Sequence, residues 1–92
     1  MSKLKFPLGQ MVATPAALDA LAESGQQAFE FFLRHAVGDW GDCDPEDAAA
    51  NDAAIADGDR LLSVYRTGKG VKIWVITEAD RSSTCLLLPE DY

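Results

Sequence analysis

The sequence predicts an α+β domain in which two or three N-terminal helices pack on a three- to four-stranded antiparallel β-meander. Three observations predict it. Apolar residues recur with helical spacing up to about residue 58, they alternate with polar ones after Arg60, and Gly- and Asp-containing turns divide the second half into hairpins. At 92 residues, with 48% hydrophobic and 25% charged residues, the chain has the composition of one globular domain, residues 1–92, with residues 1–7 expected to be a flexible N-terminal segment. A domain of this size buries only about 60 to 65% of its extended-chain surface, which favours a shallow surface site over a large internal cavity.

Residues 8–13 form a short apolar stretch suited to an edge strand. Thr14-Pro15 follows, an N-cap residue with proline at the first helical position, so a helix starts there. Its expected inner face holds Leu18 and Leu21 with Ala17 and Ala22, and Ser24-Gly25 ends it. From Gln26 to Val37, Phe29, Phe32, Leu33 and Ala36 recur at i, i+3, i+4 and i+7, the stripe of a second packed helix closed by Gly38. Asp44-Pro45-Glu46-Asp47 repeats the start signal, and a third, alanine-rich helix runs to about Ala56 before Gly58. Beyond Arg60, Leu62 and Val64 alternate with Ser63 and Tyr65. Thr67-Gly68-Lys69-Gly70 turns the chain, and Val71 to Thr77 alternates again. A second turn at Ala79-Asp80-Arg81 leads to a last strand, Ser82 to Leu88, closed by Pro89. Trp74 and Ile76 fall on the opposite side of their strand from Ile73 and Val75. Two outcomes are open for them: cover from the N-terminal segment and the loop near Trp40, or exposure as a self-association patch that a homodimer would close.

Charge limits the partners more than any motif does. Between Asp39 and Asp59 stand eight acidic residues (Asp39, Asp42, Asp44, Glu46, Asp47, Asp52, Asp57, Asp59) and no basic one, while Arg60, Arg66, Lys69, Lys72 and Arg81 lie in the last third. With a net charge of −7 and pI near 4.4, direct nucleic-acid binding is excluded as an expectation, because that affinity comes largely from cations neutralising phosphates. A basic protein surface is the matching partner, met through Asp42, Asp44, Glu46 and Asp47 with Trp40 beside them. No apolar stretch is long enough for a signal peptide or a membrane span, so the expected location is the cytoplasm.

The stretch from Arg34 to Asp42 gathers the one histidine, Trp40, two glycines and two carboxylates. As chemistry it reads as a general base, His35, oriented by Asp39 or Asp42, although no nucleophile accompanies it. As structure it reads as a helix end in which His35 sits near the carbonyl terminus while Gly38 and Gly41 turn the chain around a buried Trp40. The acids lack the spacing of a calcium loop. Cys43 and Cys85 form no CxxC pair, so no metal or cofactor is expected. Cys85 reads as a small core residue, and Cys43 as a thiol whose pKa is raised in an acidic loop. The group from Thr77 to Thr84 holds hydroxyls, acids and an arginine that suit either an anion or a plain hairpin, with Asp80 bonding backbone amides and the hydroxyls on the solvent side.

The succession His35, Gly38-Asp39-Trp40-Gly41, Asn51, Arg60 to Tyr65, Ile73 to Thr84 and Leu88 to Tyr92 covers most of the chain. It resembles a family of small plasmid-related bacterial proteins, to which no activity is attached and from which no functional residue carries over. The resemblance implies a bacterial, mobile-element setting. In such a setting small acidic inhibitors of defence systems, of the anti-restriction or anti-CRISPR type, are the class to consider. The strand arrangement is more distantly similar to the sheet of small RNase toxins, whose basic RNA-cleaving surfaces this acidic chain lacks. The reading carried forward is a non-catalytic protein-binding domain, with a small His35/Asp39 enzyme and a self-associating subunit as its rivals.

Overall fold

The structure, a computed structural model, describes residues 4–92. Its elements run β1 (Gln10–Ala13), α1 (Pro15–Glu23), α2 (Ala28–Ala36), α3 (Pro45–Asp57), β2 (Leu61–Arg66), β3 (Lys72–Thr77), β4 (Ser83–Leu87) and a 3₁₀ turn at Pro89–Asp91. The helix starts are built from the predicted caps. The Thr14 hydroxyl accepts from the Ala17 N–H at 3.2 Å, and the Asp44 carboxylate accepts from the Asp47 N–H at 2.9 Å. Of the N-terminal segment expected to be flexible, residues 1–3 lie outside the described residues, and Phe6 is docked while Leu4, Lys5 and Pro7 stay exposed. Phe6 is buried and the Lys5 N–H bonds the Ala36 carbonyl at 2.8 Å, because the ring fills a gap beside Trp40 that the helices leave open.

Strands β2, β3 and β4 form the predicted antiparallel meander, and the fold is α+β. The sheet as a whole is mixed, in the order β1-β4-β3-β2, because β1 lies parallel to β4. No local turn links these two strands, so nothing in the sequence between them fixes their relative direction. All three helices and two strands intervene.

Helices α1 and α2 lie over β3 and β4, and α3 lies against β2. The main core joins Ala17, Leu21, Phe31, Phe32, Tyr65, Ile73, Val75 and Leu86, and a second cluster under α3 joins Phe6, Trp40, Ala54 and Leu61. The inner faces of α1 and α2 are rotated from the predicted stripes. Phe29 and Leu33 are 58% and 45% exposed, while Phe31, Phe32, His35 and Ala36 point inward. Leu18 is likewise exposed, and Ala17, Ala20 and Leu21 meet the sheet. Small alanines let α1 approach closely, and His35 takes an inward position because hydroxyl groups are waiting for it there.

The other sheet face carries Leu62, Val64, Trp74, Ile76, Cys85 and Leu87, on alternate positions of three paired strands. Among the described residues neither the N-terminal segment nor the Trp40 loop covers it, since Phe6 and Trp40 pack with Leu61 on the helix side. Its cover is partial and comes from the chain after β4. There Tyr92 meets Trp74 edge to face, with ring centroids 5.8 Å apart.

Candidate functional sites

His35 leaves the last turn of α2 and passes into the sheet-facing core, where it is 0% exposed. Its Nδ1 lies 2.5 Å from the Ser63 hydroxyl and its Nε2 lies 2.9 Å from the Thr77 hydroxyl. Thr77 is 2.7 Å from the Thr84 hydroxyl, which donates to the Leu8 carbonyl at 2.7 Å. This last bond orders the rest. A carbonyl only accepts, so the single Thr84 proton is committed to it and Thr77 donates to Thr84. Thr77 then accepts from His35 Nε2–H, and the Nδ1 lone pair of the neutral ring accepts from Ser63. Every member of this buried chain is satisfied, and the chain fixes one tautomer of a neutral imidazole.

The surroundings hold it neutral. Burial, followed by the charge of Arg81, pushes the His35 pKa down to about 4. The Phe6 and Trp40 rings stand edge-on to the imidazole at 5.2 and 5.6 Å. A serine hydroxyl on a histidine nitrogen is the pairing that activates a nucleophile, but Ser63 and His35 are both fully buried. No substrate atom reaches either without opening the core. The carboxylates expected to orient His35 lie elsewhere. Asp39 accepts from Arg34 Nε at 2.7 Å and Asp42 from Arg66 Nε at 3.2 Å, both on the surface. The bond from Arg34 holds the Asp39 pKa below its ordinary value. Arg34 in turn lies 4.5 Å over the Tyr65 ring, whose hydroxyl donates to the Asp39 carbonyl at 2.5 Å.

The loop after α2 is shaped by close approach to β2. Gly41 has φ +72 and forms a bridge to Val64, where a Cβ would run into the Val64 carbonyl and the Tyr65 ring. Trp40 is buried as the plainer reading of the loop has it, and its Nε1–H donates to Asp52 at 3.0 Å. Cys43 is half-buried and its thiol pKa is raised, by burial first and by Asp47, Asp44 and Asp42 after it.

Helix α3 is thinly packed, with only Asn51 and Ala54 buried. The Asn51 side chain clamps both main-chain groups of Leu62, donating to its carbonyl at 2.7 Å and accepting from its N–H at 3.1 Å. Together with the Gly41 bridge this closes the outer edge of the sheet. The outward side of α3 carries Glu46, Ala50, Ala53 and Asp57 at i, i+4, i+7 and i+11, all exposed. The ion pairs of the described residues involve Asp39, Asp42 and Glu78, so Asp44, Glu46, Asp47, Asp52 and Asp57 have no cation on them. Among the described residues no three His, Cys, Asp or Glu side chains converge as a metal site would require. No helix among them is long and apolar enough to cross a membrane.

Several working residues escaped the sequence reading. Arg81 sits in the β3–β4 turn with φ +62 and donates to the Asp59 and Ala54 carbonyls at 2.6 and 2.9 Å, tying the end of α3 to the turn. Asp80 bonds the Ser82 N–H as expected, but Thr77 and Thr84 face the core rather than solvent. Their inward parity was readable, since Ser63 lies between Leu61 and Tyr65, and Thr77 follows Ile73 and Val75, at period two. On the open face, Arg60, Leu61, Leu62, Trp74, Ile76 and Tyr92 line a hollow of about 280 Å³. Trp74 and Ile76 are thus together as expected, with Trp74 partly exposed and Ile76 buried. Comparison with protein-family models, curated proteins and solved structures finds no match to this chain.

Proposed function

We propose that this is a non-catalytic protein-binding domain that presents the acidic outer side of α3 to a basic surface on a protein partner, in the cytoplasm of a bacterium. The observation that carries the reading is the set of acids on and around α3 that form no ion pair among the described residues. Asp39 and Asp42 are spent on Arg34 and Arg66, so the free field comes from Asp44, Glu46, Asp47, Asp52 and Asp57. The thin packing of α3 leaves its outward side available to a partner. Interspersed alanines keep that side low, so a partner's Lys and Arg side chains reach the carboxylates without steric obstruction. The channel of a nucleic-acid-binding machine is a surface of that kind, and with the mobile-element setting this makes an inhibitor of a defence system the first class to test.

The enzymatic rival draws no support from a histidine that is sealed, neutral and held by Ser63 and Thr77. Self-association through Trp74 and Ile76 remains a distinct reading, which sedimentation velocity separates from a monomer.

The test is capture of partners on tagged protein at low and high salt, repeated with the Glu46→Gln, Asp47→Asn, Asp57→Asn triple variant. The expected result is a nucleic-acid-binding protein retained at low salt, released at high salt and lost from the variant, whose melting temperature stays near that of the parent. A partner held equally by parent and variant, or a monomer that captures none, overturns the reading.

A further inference from the structure

We infer that the hollow on the open sheet face is a binding site for a small amphiphilic carboxylate, with an aromatic or short aliphatic body and one carboxyl group. At about 280 Å³ it lies just below the low end of the usual range for ligand sites, so it suits a fragment-sized molecule. Leu62 and Ile76 are direct cross-strand partners, and Trp74, the next same-face residue on β3, extends their apolar wall. The polar groups converge at one side. Arg60 donates to the Tyr92 hydroxyl at 3.0 Å and its guanidinium carbon lies 5.8 Å from the Tyr92 ring centre, which keeps the fork beside the hollow.

The donor count favours an anion there. Of the five guanidinium N–H groups, one is held by Tyr92 and another faces Glu78 across a long 3.5 Å contact. The remaining donors match the two oxygens of a carboxylate. Glu78 and the net charge of −7 disfavour a polyanion, which leaves a single negative charge on an apolar body as the fitting ligand. This inference is independent of the acidic side of α3.

The test uses 2-naphthoate and its uncharged counterpart 2-naphthalenemethanol, followed by NMR at the two tryptophan indole N–H signals. Trp40, buried and bonded to Asp52, is the internal reference. The expected result is a saturable shift of the Trp74 signal with naphthoate and none at Trp40, with the alcohol binding at least tenfold more weakly. Arg60→Gln, a change at an exposed side chain, should lower the naphthoate affinity to that of the alcohol, and Glu78→Gln should raise it about twofold. Absence of a saturable Trp74 shift at millimolar naphthoate, equal affinity for acid and alcohol, or unchanged binding in Arg60→Gln overturns the inference.

Discussion

The two faces of the sheet divide polar and apolar side chains in an unexpected way. The helix-covered face holds Ser63, Tyr65, Ile73, Val75, Thr77, Thr84 and Leu86, each at most 1% exposed, and so buries three hydroxyl residues besides Tyr65. The open face is lined by Leu62, Val64, Trp74, Ile76, Cys85 and Leu87, and keeps Trp74 partly in water. Polar groups are sealed where they satisfy one another through His35, whereas on the other face Ile76 and Leu87 are buried and Leu62, Val64, Trp74 and Cys85 are partly exposed, with Tyr92 set against Trp74. The closed face therefore carries the stability of the domain. The open face confines its exposure to partly buried residues, Trp74 among them, beside the hollow lined by Arg60, Leu62, Ile76 and Tyr92.

The sharpest way to break this comparison uses neighbours that point to opposite faces. Leu61 is 0% exposed among Phe6, Trp40 and Ala54, whereas Leu62 is only partly buried on the open side. Leu61→Ala should cost about 4 kcal/mol, the transfer term plus an uncollapsed cavity, and Leu62→Ala about 1 kcal/mol. Urea unfolding of both variants measures the difference. Equal losses would mean that the two faces contribute alike.

The second effect is a dependence on pH that belongs to the closed face alone. The His35 pKa is about 4 in the folded protein and near 6.5 in the unfolded chain. Between these values the unfolded state binds the extra proton, so the stabilisation is fully present above about pH 6.5 and is lost as the pH falls towards 4. The loss should reach about 3 kcal/mol. Protonation also breaks the order of the chain, since Nδ1 would become a donor facing the Ser63 proton and Ser63 would have to turn. Asp39, held low by Arg34, loses its contribution only below the ordinary carboxylate range, so its window is separate. Denaturant midpoints at pH 7 and pH 4.5 should differ in the parent and converge in His35→Gln. A flat profile in the parent would show that the pocket accepts an imidazolium.

Much of the fold was legible because its signals are local. The Thr14-Pro15 and Asp44-Pro45 caps, the turns and the period-two alternation after Arg60 each need only a few neighbouring residues, and all reappear in the structure. What was misread depends on distant partners. The parallel pairing of β1 with β4 joins residues more than seventy apart, and the inward turn of α2 follows from hydroxyls on β2 and β3 that reach His35 across the core. A stripe counted by hydrophobicity selects Phe29 and Leu33 over His35, because it cannot register that a polar ring has its partners waiting. The candidate site was misread for a related reason. Asp39 and Asp42 are next to His35 in sequence, yet the arginines on α2 and β2 draw their carboxylates to the surface.

The smallest expected effect tests the open face from its own side. Tyr92 is 71% exposed, yet it shades Trp74 and holds Arg60 beside the hollow. Since one edge-to-face ring pair and one exposed hydrogen bond are involved, Tyr92→Ala should lower stability by less than about 1 kcal/mol. The same change should expose the Trp74 indole. Its fluorescence should shift to the red and become easier to quench with acrylamide, while Trp40, buried beside Phe6 and bonded to Asp52, keeps its signal. Paired with Leu61→Ala, this separates what folds the protein from what the fold leaves accessible. A stability loss as large as that of the core leucine would make the C-terminal turn part of the core, and the open face would then be a second packed layer.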